Sequence, residues 1–118
     1  MAEVKKNVLK EETFDKLEIR LGRVIKVEEE PDAPKKSYRL KIDFGKFGIR
    51  SSVGRFTQHT PEELLNKLVM GVLNFEPRKI GDTVSDVLVL GVQYPKAESG
   101  EATFITPFAN AKIGGKLF

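Results

Sequence analysis

The chain has 118 residues, a formal charge of +3 and no cysteine, a length that serves one domain with a core needing no staples. Without cysteine, and with His59 as the only histidine, disulfides, thiol nucleophiles and cysteine or histidine metal clusters are excluded. No apolar run approaches the roughly 20 residues of a bilayer span, and Met1–Lys10 is too polar for a signal-peptide core, so a soluble cytoplasmic protein without membrane insertion is expected.

Residues 1–13 read as a short extension with partly helical spacing at Val4, Val8 and Leu9. Leu17 to Val27 alternates, with Leu17, Ile19, Leu21, Ile25 and Val27 on one parity, which predicts a strand with one buried face. Gly22 in its middle suggests a bulge or sharp bend. Glu28 to Pro34 is a loop by charge and proline content. Tyr38 to Phe44 is a period-2 strand, with Tyr38, Leu40, Ile42 and Phe44 facing in. Gly45 to Gly48 predicts a hairpin turn, and Ile49 to Gly54 a third strand.

Thr60 to Lys67 predicts a helix of about two turns. Thr60 can cap it, Pro61 stands at its first position, and Glu63 can complete a capping box. Leu64, Leu65 and Leu68 supply an apolar stripe. Leu68–Phe75 and Val84–Val92 are apolar on both parities and predict strands covered on both faces. A last strand is expected from Ala102 to Thr106. Three strands, a short helix and two more strands describe an all-β OB-fold, a five-stranded Greek-key barrel, here with terminal extensions. An SH3-like barrel has no place for the helix.

Charge is uneven along the chain. Residues 35–60 hold seven Lys or Arg against Asp43 alone, net +6, whereas residues 1–34 carry net −2 and residues 61–118 net −1. A basic middle is the footprint of a polyanion site or of a solvated sheet face.

The segment Asn74-Phe-Glu-Pro-Arg-Lys79, followed by Ser85-Asp86, resembles the signature loop of the tRNA-binding domains appended to methionyl- and phenylalanyl-tRNA synthetases. Leu17-Glu-Ile-Arg-Leu-Gly-Arg-Val24, Ile42-Asp-Phe-Gly45 and Pro61-Glu-Glu-Leu64 agree in order. Within that family the chain is most similar to the CsaA proteins, through Phe14 to Arg20, Gly48-Ile49 and Ser85-Asp-Val-Leu-Val-Leu-Gly91, so that the likeness covers about Phe14 to Gly114 and leaves 115–118 as a tail. The resemblance implies an OB-fold, a homodimer, binding of tRNA or structured RNA through shape and backbone, and, as an alternative, binding of unfolded preprotein as a protein-export chaperone. The absence of cysteine, of a histidine pair and of any nucleophile motif predicts a protein that is not an enzyme, and no cofactor is expected.

On this expectation Asn74 to Val87 is a long strand-to-strand loop at the barrel rim, stiffened by Pro77. Arg78 can fork onto a phosphate and Lys79 adds a point charge. Asn74 and Ser85 offer neutral donors to a phosphate or 2′-hydroxyl, or else satisfy loop backbone groups. Arg39, Lys41, Arg50 and Arg55 lie on or beside strands two and three, the usual nucleic-acid face of an OB-fold. Phe47 and Phe56 are either stacking platforms or core, whereas Phe44 and Phe75 are expected in the core. No nucleophile motif surrounds Ser51 or Ser52 beside His59, and no carboxylate pair suggests acid–base work.

Overall fold

The first strand, Ile19–Glu29 (β1), is long enough to serve two partners, and it does so by changing which residues face inward part-way along. In the structure, a computed structural model describing residues 2–96 and 100–118, Ile19 to Arg23 pairs antiparallel with Leu68–Val72 (β4), and Arg23 to Glu29 with Tyr38–Asp43 (β2). The register slips between Val24 and Lys26, so Ile25 is the extra residue of a bulge. Gly22 was the expected site of the bend, but it serves a different purpose. A Cβ there would lie 2.6 Å from Ile42 and 2.7 Å from the Phe44 ring. On β4, a Cβ at Gly71 would lie 2.8 Å from the same ring. Two glycines on neighbouring strands thus make the seat for Phe44, which is wholly buried.

This placement corrects the single buried parity expected for β1. Val24 joins Leu40, Ile42, Phe44 and Val69 in the barrel core, with Val27 packed against it beyond the bulge. Ile19 and Leu21 point the other way, into a second cluster with Met70 and Val72. Phe14, Leu17 and Leu117, from the two terminal segments, cover that cluster. The C-terminal residues form a strap along β1: Gly114 and Leu117 donate to the Leu21 and Ile19 carbonyls at 2.7 and 3.0 Å, and Leu21 donates to Gly115 at 2.9 Å. Only Phe118 of the last two apolar residues stands in water.

Strand β2 pairs next with Ile49–Gly54 (β3), and a five-stranded antiparallel sheet runs β3–β2–β1–β4–β7, where β7 is the short Leu88–Val89. Asp86 all but closes the barrel: its N–H donates to the Ser51 carbonyl at 3.0 Å and its Oδ1 accepts the Ser51 N–H at 3.1 Å. The topology is the OB-type barrel expected. The helix (α1) keeps its predicted start, with the reciprocal Thr60–Glu63 capping box and Pro61, but it covers only Pro61–Leu64, one turn. Asn66 and Lys67 leave it to exchange backbone bonds with Val24, at 2.8 and 2.9 Å, so Leu64 alone is fully buried and Leu65 is exposed.

Val84–Val92 is not one strand. Arg78–Ile80 (β5) pairs with Thr83–Ser85 (β6), and after β7 the chain resumes as Gly91–Gln93 (β8), paired with Ala102–Phe104 (β9). Asp86 and Leu90 divide the run because their N–H groups turn to Ser51 and Met70.

Candidate nucleic-acid interface

The expected long loop is therefore a hairpin. Its turn is two residues, Gly81 and Asp82, with Gly81 at φ +62° in the first position, where a type II′ turn places glycine. The hairpin stands on the rim beside β3, and each of its ends is tied down.

At its approach, Asn74 closes off the N-terminal segment. Its Oδ1 accepts the Glu18 N–H and its Nδ2 donates to the Lys16 carbonyl, both at 2.8 Å. At its base, the Ser85 Oγ accepts the Val53 N–H at 3.2 Å and donates to the Val87 carbonyl at 3.4 Å. Both side chains satisfy backbone groups, which is the second of the two roles the sequence left open for them. At its tip, Thr83 donates to the Glu30 carboxylate at 2.5 Å.

Arg39, from β2, reaches the same carboxylate at 3.3 Å and Glu28 at 3.6 Å. Arg50 donates to the Phe47 and Leu73 carbonyls, both at 3.3 Å. Arg55 pairs with Glu101 at 3.4 Å and is 15% exposed. These three guanidiniums knit the barrel together. Lys41, Arg78 and Lys79 differ: all are exposed, and among the described residues none of their side chains forms a hydrogen bond or ion pair. Arg78 stands opposite Ser85 and Lys79 opposite Val84.

Between this hairpin and the β8–β9 hairpin runs an open groove of about 760 Å³ over β3. Val53, Arg55, Phe75, Arg78, Leu88 and Ala102 are among its walls. Phe75, expected in the core, is 47% exposed at its edge, and Leu88 is 49% exposed. Asn74 turns the chain out of β4, so Phe75 lies past the last paired residue, Val72. Phe56 is core, edge-on to Phe104 with centroids 4.4 Å apart. The Arg20 guanidinium covers the Phe47 ring at 4.6 Å. Neither ring is a free stacking surface. His59 Nε2 lies 2.7 Å from the Tyr94 hydroxyl and 3.0 Å from Thr103 Oγ1, well engaged away from the serines.

Beside the hairpin turn, the Asp32 carboxyl is raised above its ordinary 3.8, first by a hydrogen bond with the Asp82 carboxyl, then by the charges of Asp82 and Glu30 with some desolvation. Like charges crowded there disfavour full ionisation. Glu30 itself was not singled out from sequence. It is the last of three consecutive glutamates before a proline, and nothing in that run distinguishes the buried one.

Residues 19–116 match the family model described as "Putative tRNA binding domain". The chain belongs to the tRNA-binding domain family. The methionine–tRNA ligase of Pyrococcus horikoshii is 36% identical over 110 residues, which is 92% of this chain and 14% of that enzyme. The chain thus spans about one-seventh of the ligases it matches. Among solved structures, the CsaA chaperone protein of Picrophilus torridus superposes with a TM-score of 0.82 at 32% identity, covering 94% of this chain and all of the other. The chaperone CsaA of Bacillus anthracis gives 0.81 at 32%, covering 95% and 100%. A methionyl-tRNA synthetase-related protein of P. horikoshii gives 0.79 at 25%, covering 96% and 100%. Val87 is buried in the core, with its side chain against Gly71.

Proposed function

We propose that this domain is a non-catalytic binder of tRNA or structured RNA, and that Arg78, Lys79 and Lys41 are its phosphate-contacting cations. One observation carries the reading. On a surface where the neighbouring arginines are internally paired, Arg78 and Lys79 sit exposed and unpaired on a rim hairpin tied at base and tip. Unpaired cations on a rigid element meet phosphate without first breaking a contact of their own. Asn74, Ser85, Arg39, Arg50 and Arg55 support that surface, since their bonds run to the barrel itself.

The test is a salt titration of tRNA binding. Each neutralised phosphate contributes a slope of about −0.7 to −0.9 in log K against log salt. Replacing Arg78 and Lys79 together by alanine is expected to flatten the slope by about one to two units. An unchanged slope would remove these residues from the interface.

A second reading is favoured by the groove. Half-exposed Phe75 and Leu88 line an open cleft of about 760 Å³, a surface suited to an extended apolar segment of unfolded polypeptide. Such binding would respond weakly to salt and to the double replacement. Val92, Ile105 and Phe108 are also exposed, and burying such residues across a two-fold axis is the simplest use for them. A cytoplasmic homodimer is accordingly the form proposed for the protein.

A further inference from the structure

Glu30 is the only carboxylate that is buried among the described residues, with a side chain 1% exposed. A charge so withdrawn from water is costly unless it is paired and hydrogen-bonded. Its partners come from two directions. From its own sheet, Arg39 Nη1 approaches Oε2 at 3.3 Å. From the rim hairpin, Thr83 Oγ1 donates to Oε2 at 2.5 Å and the Asp82 N–H donates to Oε1 at 3.3 Å. The turn is pressed close as well: a Cβ on Gly81 would lie 2.7 Å from Oε1 and 3.0 Å from the Asp32 backbone.

The contacts of Gly81, Asp82 and Thr83 hold the tip of the β5–β6 hairpin. Its base is held separately, by the bonds of Ser85 and Asp86 to Val53 and Ser51 of β3. A two-stranded hairpin of three residues a side is not stable by itself, so these anchors determine where its exposed cations stand. Lys79 lies between the anchors and Arg78 at the base. Arg39 neutralises the carboxylate, and its burial keeps it from confronting an approaching polyanion.

We propose that Glu30 is a positioning residue of the RNA interface, whose buried carboxylate holds the rim hairpin in the pose that presents Arg78 and Lys79 to phosphate. The inference rests on the RNA-binding reading above. Glu30 touches no ligand and acts through the hairpin. A purely structural role predicts a lower Tm and unchanged binding by the folded fraction. The positioning role predicts lost phosphate contacts in a protein that is still folded.

The experiment is a cycle of salt titrations with tRNA on the full chain. Its members are wild type, Glu30→Gln, Arg78→Ala with Lys79→Ala, and the triple variant, with hydrogen exchange of the hairpin amides alongside. Glu30→Gln is expected to flatten the log–log slope by about one unit, the loss of one or two contacts. In the background lacking Arg78 and Lys79 it is expected to change nothing further, because residues acting as a unit are not additive. Amides from Lys79 to Ser85 are expected to exchange faster. Thr83→Val removes the tip bond from the other side and is expected to reproduce the effect, which carries the test should Glu30→Gln fail to fold. Wild-type slope in both folded variants, with a flattened slope in the Arg78/Lys79 variant, would overturn the role of Glu30 alone. A loss on Glu30→Gln that persists undiminished in the triple variant would overturn it too. No salt-dependent tRNA binding by wild type would overturn the functional reading and this role with it.

Discussion

At the scale of single residues, the determining contrast is between polar side chains that bond within the fold and those that stand exposed and unpaired. Asn74 belongs to the first group. Replacing it by alanine removes two bonds to backbone groups, each worth about 0.5–1.5 kcal/mol net. Urea denaturation is expected to show a loss of about 1–3 kcal/mol on the same basis, with the salt dependence of RNA binding unchanged. Gly22→Ala is expected to destabilise by about 1–3 kcal/mol through overpacking, because its Cβ would enter the space of Ile42 and Phe44. Asp32 holds its proton more tightly folded than unfolded, since its carboxyl is raised above 3.8. Stability therefore falls as pH rises from about 3.8 through the raised native value, and the penalty persists at neutral pH. Asp32→Asn is expected to raise the Tm at pH 7 and leave the acid limb near pH 3 unchanged. A lower Tm at pH 7 would contradict the repulsion. None of these roles was fully legible in the sequence. Asparagine in a loop satisfies backbone groups or offers a donor equally well, and only the Glu18 and Lys16 partners, 56 and 58 residues away, decide it. Glutamates 28, 29 and 30 look alike until the fold withdraws one.

At the scale of elements, local signals were reliable where local physics decides. The capping box at Thr60 and Glu63 and the alternation of Tyr38 to Phe44 appear in the structure as read. Thr60→Ala is expected to cost about 1 kcal/mol. The Glu63 carboxylate lies below its ordinary 4.5, chiefly because the Thr60 backbone N–H donates to it. Its contribution is complete above about pH 4.5 and lost as pH falls through the lowered native value. Glu63→Gln keeps a capping box without a titrating group, so its Tm against pH is expected to fall less steeply in acid. Tertiary partners decided the rest. The helix stops after one turn because Val24 captures the chain. Val84–Val92 breaks where Asp86 and Leu90 bond outward to β3 and β4. The inward parity of β1 reverses at a bulge on Ile25, an ordinary strand former that carries no bulge signal. Phe75 left the core for a related reason: its apolar character continues β4 in the sequence, but Asn74 has already turned the chain away.

At the scale of the molecule, the order of elements led to the barrel, and the hairpin it carries is the surface proposed to meet RNA. The exposed apolar residues of the β8–β9 side and beyond suit a two-fold contact. Sedimentation equilibrium at micromolar concentration is expected to give twice the 13.2 kDa chain mass, and a monomer mass would contradict the dimer. The central claim, that RNA meets the rim through Arg78 and Lys79, is tested most directly by amide NMR of the isotope-labelled protein titrated with tRNA at low salt. The largest shifts and broadening are predicted in Arg78 to Ser85 and around Lys41 on β2, with the second cluster around Ile19 and Met70 silent. Changes confined to Phe75, Leu88 and the groove floor, with the hairpin silent, would contradict the account.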